Sequence, residues 1–221
     1  MKIGIVLSGC GVKDGSEIHE SVLTLLAVRK NSADPVFMAP DVNQLDVINH
    51  PTDETSPEKR NVLAESARIS RGNINDIKEA REKDLDALIF PGGYGAAKNL
   101  CDFAVNGENC TVNPDVSRLI YDMHKAGKPV GFICIAPVIC AAVFRGDPGV
   151  KPKLTIGTDS NTAAKLEKMG AKHVSCQVTD ICVDEKNLFV STPAYMLAQC
   201  ITELEKGISN LVATVVKIAS K

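Results

Sequence analysis

Cys134 closes an apolar run, Val130-Gly131-Phe132-Ile133, and stands just before Ile135-Ala136-Pro137. Such a run reads as a buried strand, and the residues after it as the start of a helix. A cysteine on so sharp a turn is lifted out of the sheet, as in nucleophile elbows. The helix start offers unpaired N–H groups and a positive dipole end, and both favour a thiolate. The N–H of Ile135 is then placed to face an oxyanion, and Gly92 and Gly93 of Pro91-Gly92-Gly93 supply the other half of the hole. The plain alternatives are a small core cysteine and a simple turn.

Three further segments follow apolar runs: Ser8-Gly9-Cys10-Gly11, Pro91-Gly92-Gly93-Tyr94-Gly95 and Gly157-Thr158-Asp159. In an open parallel sheet they meet Cys134 at one rim, beyond the carboxyl ends of the strands. Cys10, Glu17, Asn99 and Asp159 are therefore candidate substrate contacts. Each has an ordinary reading as well. Cys10 is a loop residue between glycines, Lys98-Asn99 is a solvated turn, and Asp159 caps the helix after it. Glu17, His19 and Glu20 open the first helix, where acids complement the dipole, yet that helix starts at the same rim. Glu17 and Glu20 share one face at i,i+3 spacing and His19 does not, so His19 reads as a surface or capping residue.

The elements that position these residues alternate between strand and helix, the pattern of a parallel sheet covered on both faces. Strands are expected over 2–7, 35–39, 86–90, 129–133 and 154–156, with a hairpin pairing 181–183 with 188–190. Helices are expected over 17–30, 58–69, 114–126, 135–144 and 161–169. The tail, 196–219, reads as a helix broken at Gly207, and 41–57 as an irregular insertion. No linker or repeat divides the chain, so residues 1–221 form one domain.

Composition narrows the function. Aromatics are 4% and Trp is absent, which gives an aliphatic core and removes the usual base-stacking platforms. A net charge of −2 suits neither a nucleic-acid backbone nor an anionic membrane as partner. The first apolar run is too short for a signal peptide or a membrane span, so cytoplasm is the default location. Eight cysteines without a C-x-x-C pair read as free thiols, and four scattered histidines argue against a structural zinc site. No metal and no cofactor is expected.

Several runs are similar to one family. They are Ser8-Gly-Cys-Gly-Val, Asp14-Gly-Ser-Glu-Ile-His-Glu20, Arg60-Asn-Val-Leu, Ala67-Arg-Ile-Ser-Arg-Gly72, Phe90-Pro-Gly-Gly-Tyr-Gly-Ala-Ala-Lys-Asn-Leu100, Cys134-Ile-Ala-Pro and Thr192-Pro-Ala-Tyr-Met196. Across almost its whole length the chain resembles the ElbB family, also called enhancing-lycopene-biosynthesis or isoprenoid biosynthesis glyoxalase-like. That family lies within the class I glutamine-amidotransferase-like (ThiJ/PfpI) superfamily. The resemblance implies a three-layer flavodoxin-like α/β sandwich with a mostly parallel sheet and a nucleophile elbow. It implies Cys134 as nucleophile with Glu20 as its carboxylate neighbour and proton shuttle, and a protonated Glu20 whenever the thiol is ionised. It implies weak, cofactor-independent conversion of glyoxal to glycolate, with a small aldehyde as partner. A homodimer is expected, and a mitochondrial location if the chain is eukaryotic and trimmed.

Two departures from the superfamily pattern matter. Its glutaminases carry a His and a Glu around a proline after the last core strand, whereas this chain has Thr192-Pro193-Ala194, which argues against glutamine hydrolysis. The wider branch often places a His after the strand that follows the elbow helix, where this chain has Gly157-Thr158-Asp159. The competing expectation is a non-catalytic redox-sensing or metabolic binding protein using the same pocket.

Overall fold

The computed structural model describes residues 1–221. In chain order the elements are β1 (Lys2–Val6), α1 (Ile18–Lys30), β2 (Asp34–Ala39), β3 (Ile48–Asn49), β4 (Glu54–Thr55), α2 (Val62–Ile69), β5 (Asn75–Asp76) and β6 (Ala87–Phe90). There follow α3 (Tyr94–Lys98), α4 (Phe103–Asn106), α5 (Pro114–Lys125), β7 (Val130–Ile133), α6 (Pro137–Val143), β8 (Lys153–Leu154), α7 (Ser160–Lys168) and β9 (Lys172–His173). The last elements are β10 (Cys182–Asp184), β11 (Phe189–Thr192) and α8 (Ile201–Ala219).

Seven strands form the central sheet in the order β10-β11-β7-β6-β1-β2-β5. Every pairing is parallel except the β10–β11 hairpin at one edge. The central strands are apolar at nearly every position because helices cover both faces. Alternate residues feed two cores. Ile3, Ile5, Ile89 and Val190 pack with α1 and α8, while Val6, Leu88, Phe90 and Phe132 pack with α5 and α6. The expected three-layer, flavodoxin-like α/β fold is therefore present.

Several boundaries differ from expectation, and the tail helix, expected from 196, begins only at Ile201. The helix expected from 58 begins at Val62, because the Asn61 side chain accepts the Ala64 N–H at 2.9 Å and caps it there. The helix expected from 135 begins at Pro137, which has no N–H to donate and suits a first turn. The strand expected over 154–156 is the two-residue β8, outside the main sheet and paired only with β9. The Thr155 N–H still ties it to the Ser191 hydroxyl at 2.9 Å, so Gly157 to Asp159 reach the rim. The tail does not break at Gly207, because α8 runs through it. Gly207 serves close packing there: an added Cβ would lie 2.9 Å from the Val178 carbonyl oxygen and 3.1 Å from the Thr192 hydroxyl.

The insertion over 41–57 holds the small β3–β4 hairpin and is bonded to the β1–α1 loop. The Ile48 N–H donates to the Asp14 carboxylate at 2.8 Å, and Gln44 Nε2 donates to the Asp14 carbonyl at 3.2 Å.

Candidate active site

Cys134 directly follows β7 with φ at 61°, left-handed for a residue with a side chain. Its N–H still completes the ladder to the Thr192 carbonyl at 3.0 Å. Such a conformation costs on the order of 1–3 kcal/mol and persists only where neighbours impose it. Here the chain must leave the sheet and enter α6 within three residues, and the strain turns the side chain to the rim. Only 8% of Cys134 is exposed.

Glu20, in the first turn of α1, is fully buried against it. Its Oε2 accepts the Gly92 N–H at 2.8 Å and its Oε1 the Tyr195 N–H at 3.3 Å. The carboxyl group lies beside the Cys134 side chain, and each group shifts the ionisation of the other. Gly92 makes this approach possible, since an added Cβ would sit 2.5 Å from Cys134 Cβ and 2.7 Å from Glu20 Oε2. Gly93, at φ 94°, leaves no room for a side chain either, with the Glu17 nitrogen 2.4 Å from a built Cβ.

Burial, and then the nearby Glu17, push Glu20 from 4.5 to about 8. Burial also pushes the Cys134 thiol well above its ordinary range, reinforced by Glu20, while the N–H groups of Gly93 and Ile135 pull it back in part. The expectation that the helix start favours a thiolate is thus corrected. Desolvation outweighs the N–H donors, and α6 begins three residues beyond the sulfur. Near neutrality the carboxyl group holds its proton. One proton is then shared by the pair as the pH passes about 8.

The oxyanion donors divide. The Gly92 N–H is committed to Glu20. Those of Gly93 and Ile135 have no backbone acceptor and are turned toward the sulfur. Cys134 opens onto a cavity of about 370 Å³ whose walls include Glu17, Gly93, Ile135 and Asp159. Glu17 and Asp159 are also helix caps, accepting the N–H of Glu20 at 2.7 Å and of Thr162 at 2.6 Å.

Two candidates lie elsewhere. Cys10 is not in the cavity wall; its thiol neighbours Glu65 and Arg68, because the loop after β1 turns toward α2, with the Gly9 N–H on the Ser66 hydroxyl. Asn99 is buried and spent, donating to the Ser8 and Asp14 carbonyls and accepting from the Leu45 N–H. Lys98 likewise binds Asp46 and the Lys13 carbonyl. Tyr195 was not among the sequence candidates. It lines the cavity, holds Glu20 through its N–H, and its hydroxyl meets His19 Nδ1 at 2.8 Å. Its position just past the end of β11, at the same rim, was the available signal.

No family model matches the chain. The human "Glutamine amidotransferase-like class 1 domain-containing protein 3, mitochondrial" is 43% identical over all of this chain and 84% of its own length. A crystal structure of an isoprenoid biosynthesis protein with an amidotransferase-like domain, from Ehrlichia chaffeensis, superposes with a TM-score of 0.92 at 35% identity, covering 99% of both chains. Candida albicans glyoxalase III shares the fold at a TM-score of 0.62 and 14% identity, over 99% of this chain and 97% of that one. With its elbow, its sheet order and these relatives, the chain belongs to the glutamine amidotransferase-like class 1 family that includes the isoprenoid biosynthesis proteins, within the DJ-1/ThiJ/PfpI fold.

Proposed function

We propose that the chain is a cofactor-independent, glyoxalase-like enzyme that converts glyoxal to glycolate through Cys134. One observation carries this reading: a cysteine held at φ 61° at the edge of a 370 Å³ cavity, beside a fully buried carboxyl group. With one proton on the pair, Glu20 takes the thiol proton as the sulfur adds to an aldehyde carbon. The resulting alkoxide faces the Gly93 and Ile135 N–H groups and then takes that proton back. Glu20 next removes the hydrogen from the same carbon as a proton, giving an enediolate; the hydroxyl proton passes from the first oxygen to the second, and Glu20 returns its proton to the neighbouring carbon. The product is a hydroxyacetyl thioester on Cys134. Water cleaves it to glycolate and the free thiol, so glyoxal plus water balances glycolic acid with no oxidant. Because the reactive form of the pair has lost one proton, turnover rises with pH up to about 8.

The test is glycolate formation followed by proton NMR in the wild type, Cys134→Ser and Cys200→Ser. Loss in Cys134→Ser alone supports the enzyme, and equal turnover in all three refutes it. A second reading, a non-catalytic redox-sensing or metabolic binding protein, is favoured by the burial that raises the Cys134 thiol. The homodimer belongs to the same proposal and is checked by light scattering. Between the two locations, the name of the human relative supports the mitochondrial one.

A further inference from the structure

Resting on the reading that a carbonyl carbon is attacked at Cys134, we infer that the cavity selects uncharged α-oxoaldehydes with an apolar tail of several carbons and turns away carbonyl compounds bearing carboxylate or phosphate. Size is the first argument. At about 30 Å³ per water in the liquid, the 370 Å³ cavity has room for roughly twelve water-sized groups. Glyoxal, with four heavy atoms, leaves most of that space unfilled. The remaining wall is made for hydrocarbon: Val12, Ala97, Phe103, Ala104, Ile135 and Met196.

Charge is the second argument. No lysine, arginine or histidine lines the cavity, whereas Glu17 and Asp159 both do. Asp159 is held in its ionised form by the Thr162 N–H. Lys13 and Lys98 line a neighbouring depression that shares Tyr94 and Ala104 with the cavity. Each is matched by an acid, Asp53 and Asp46, both at 2.8 Å.

Backbone is the third. Glycine-rich loops bind phosphate by turning free N–H groups on it. Here the loop after β6 has spent most of them: Gly92 on Glu20, Tyr94 on the Val12 carbonyl at 2.8 Å, and Gly95 on the Gly15 carbonyl at 2.9 Å. The two left, Gly93 and Ile135, serve the sulfur and the oxygen bonded to the attacked carbon. An anionic group on the tail therefore finds carboxylates and hydrocarbon, with no cation and no spare N–H of this loop to receive it.

The experiment reads selection at the sulfur without needing turnover. Alkylation rates of Cys134 are measured by peptide mass spectrometry with iodoacetamide, N-butyl iodoacetamide and iodoacetate, using exposed Cys200 as the internal reference. The ratio of iodoacetamide to iodoacetate is expected to be about tenfold higher at Cys134 than at Cys200. N-butyl iodoacetamide is expected to gain about fourfold per buried methylene at Cys134 and nothing at Cys200. In Asp159→Asn, which keeps a helix-capping oxygen, the charge ratio at Cys134 falls several-fold. Equal ratios at the two cysteines, faster iodoacetate, or a Cys134 that no reagent reaches would overturn the inference. Reagent sorting with turnover of neither glyoxal nor a longer α-oxoaldehyde leaves selection at the sulfur standing and retires the enzyme, and turnover without sorting does the reverse.

Discussion

Replacing Glu20 by Gln should reshape the pH dependence of stability in a calculable way. The carboxyl group ionises near 4.5 when exposed and near 8 in the folded chain. Below 4.5 both states hold the proton. Between 4.5 and 8 the unfolded chain loses it and the folded chain keeps it, so stability falls as pH rises. Above 8 both are ionised and the loss is complete. At 1.36 kcal/mol per pH unit, a shift of about 3.5 units (8 less 4.5) gives about 5 kcal/mol. That is a large share of the roughly 5–15 kcal/mol that holds a domain folded. Gln keeps the shape and cannot ionise. Urea unfolding of wild type and Glu20→Gln at intervals from pH 4.5 to 9 isolates this group up to about pH 8, because titrations other than that of the coupled Cys134 thiol cancel in the difference. The variant should gain on the wild type steadily with pH and level off above about 8, by an amount on the order of 5 kcal/mol. A difference that stays flat across this range refutes a buried, proton-holding Glu20, and with it the shared proton on which the chemistry depends.

Substitutions at three more positions probe the frame around the site. Gly92→Ala puts a methyl group 2.5 Å from Cys134 Cβ and 2.9 Å from the Ile133 carbonyl oxygen, so it should cost about 1–3 kcal/mol and separate Cys134 from Glu20, read by urea melts and Cys134 alkylation. Asp159→Ala loses the cap of α7 and should cost about 1 kcal/mol, while Asp159→Asn stays within a few tenths, measured by thermal unfolding. Gly207→Ala gains up to about 1 kcal/mol of helix propensity. It nevertheless meets the Val178 carbonyl, so its melting temperature should fall.

Much of this architecture was readable in the chain. Apolar runs at Ile3 to Leu7, Ala87 to Phe90 and Val130 to Ile133 are buried on both faces, and that leaves an unambiguous strand signal. Cys134 and Gly93 were legible because a strand-to-helix turn and a close approach admit few residue types. What escaped depended on partners distant in sequence. Gly207 looked like a break because its neighbours, Val178 and Thr192, belong to other elements. Asn99 looked available until the loops it ties together were in place. The thiol's direction of shift was misread because a dipole argument needs only local sequence, whereas desolvation is set by the whole fold. Tyr195 contributes through its backbone N–H, which no side-chain motif reveals.

The most direct measurement of the central claim is the covalent state of Cys134 during turnover. Protein quenched in acid while consuming glyoxal is digested and its cysteine peptides are weighed. The account predicts the mass of one added glyoxal unit on the Cys134 peptide that hydroxylamine releases as the hydroxamate of glycolate, which separates the thioester from the isomeric hemithioacetal. The adduct is absent in Cys134→Ser and accumulates more slowly in Glu20→Gln. Glycolate appearing at the wild-type rate with no adduct on Cys134 would contradict it.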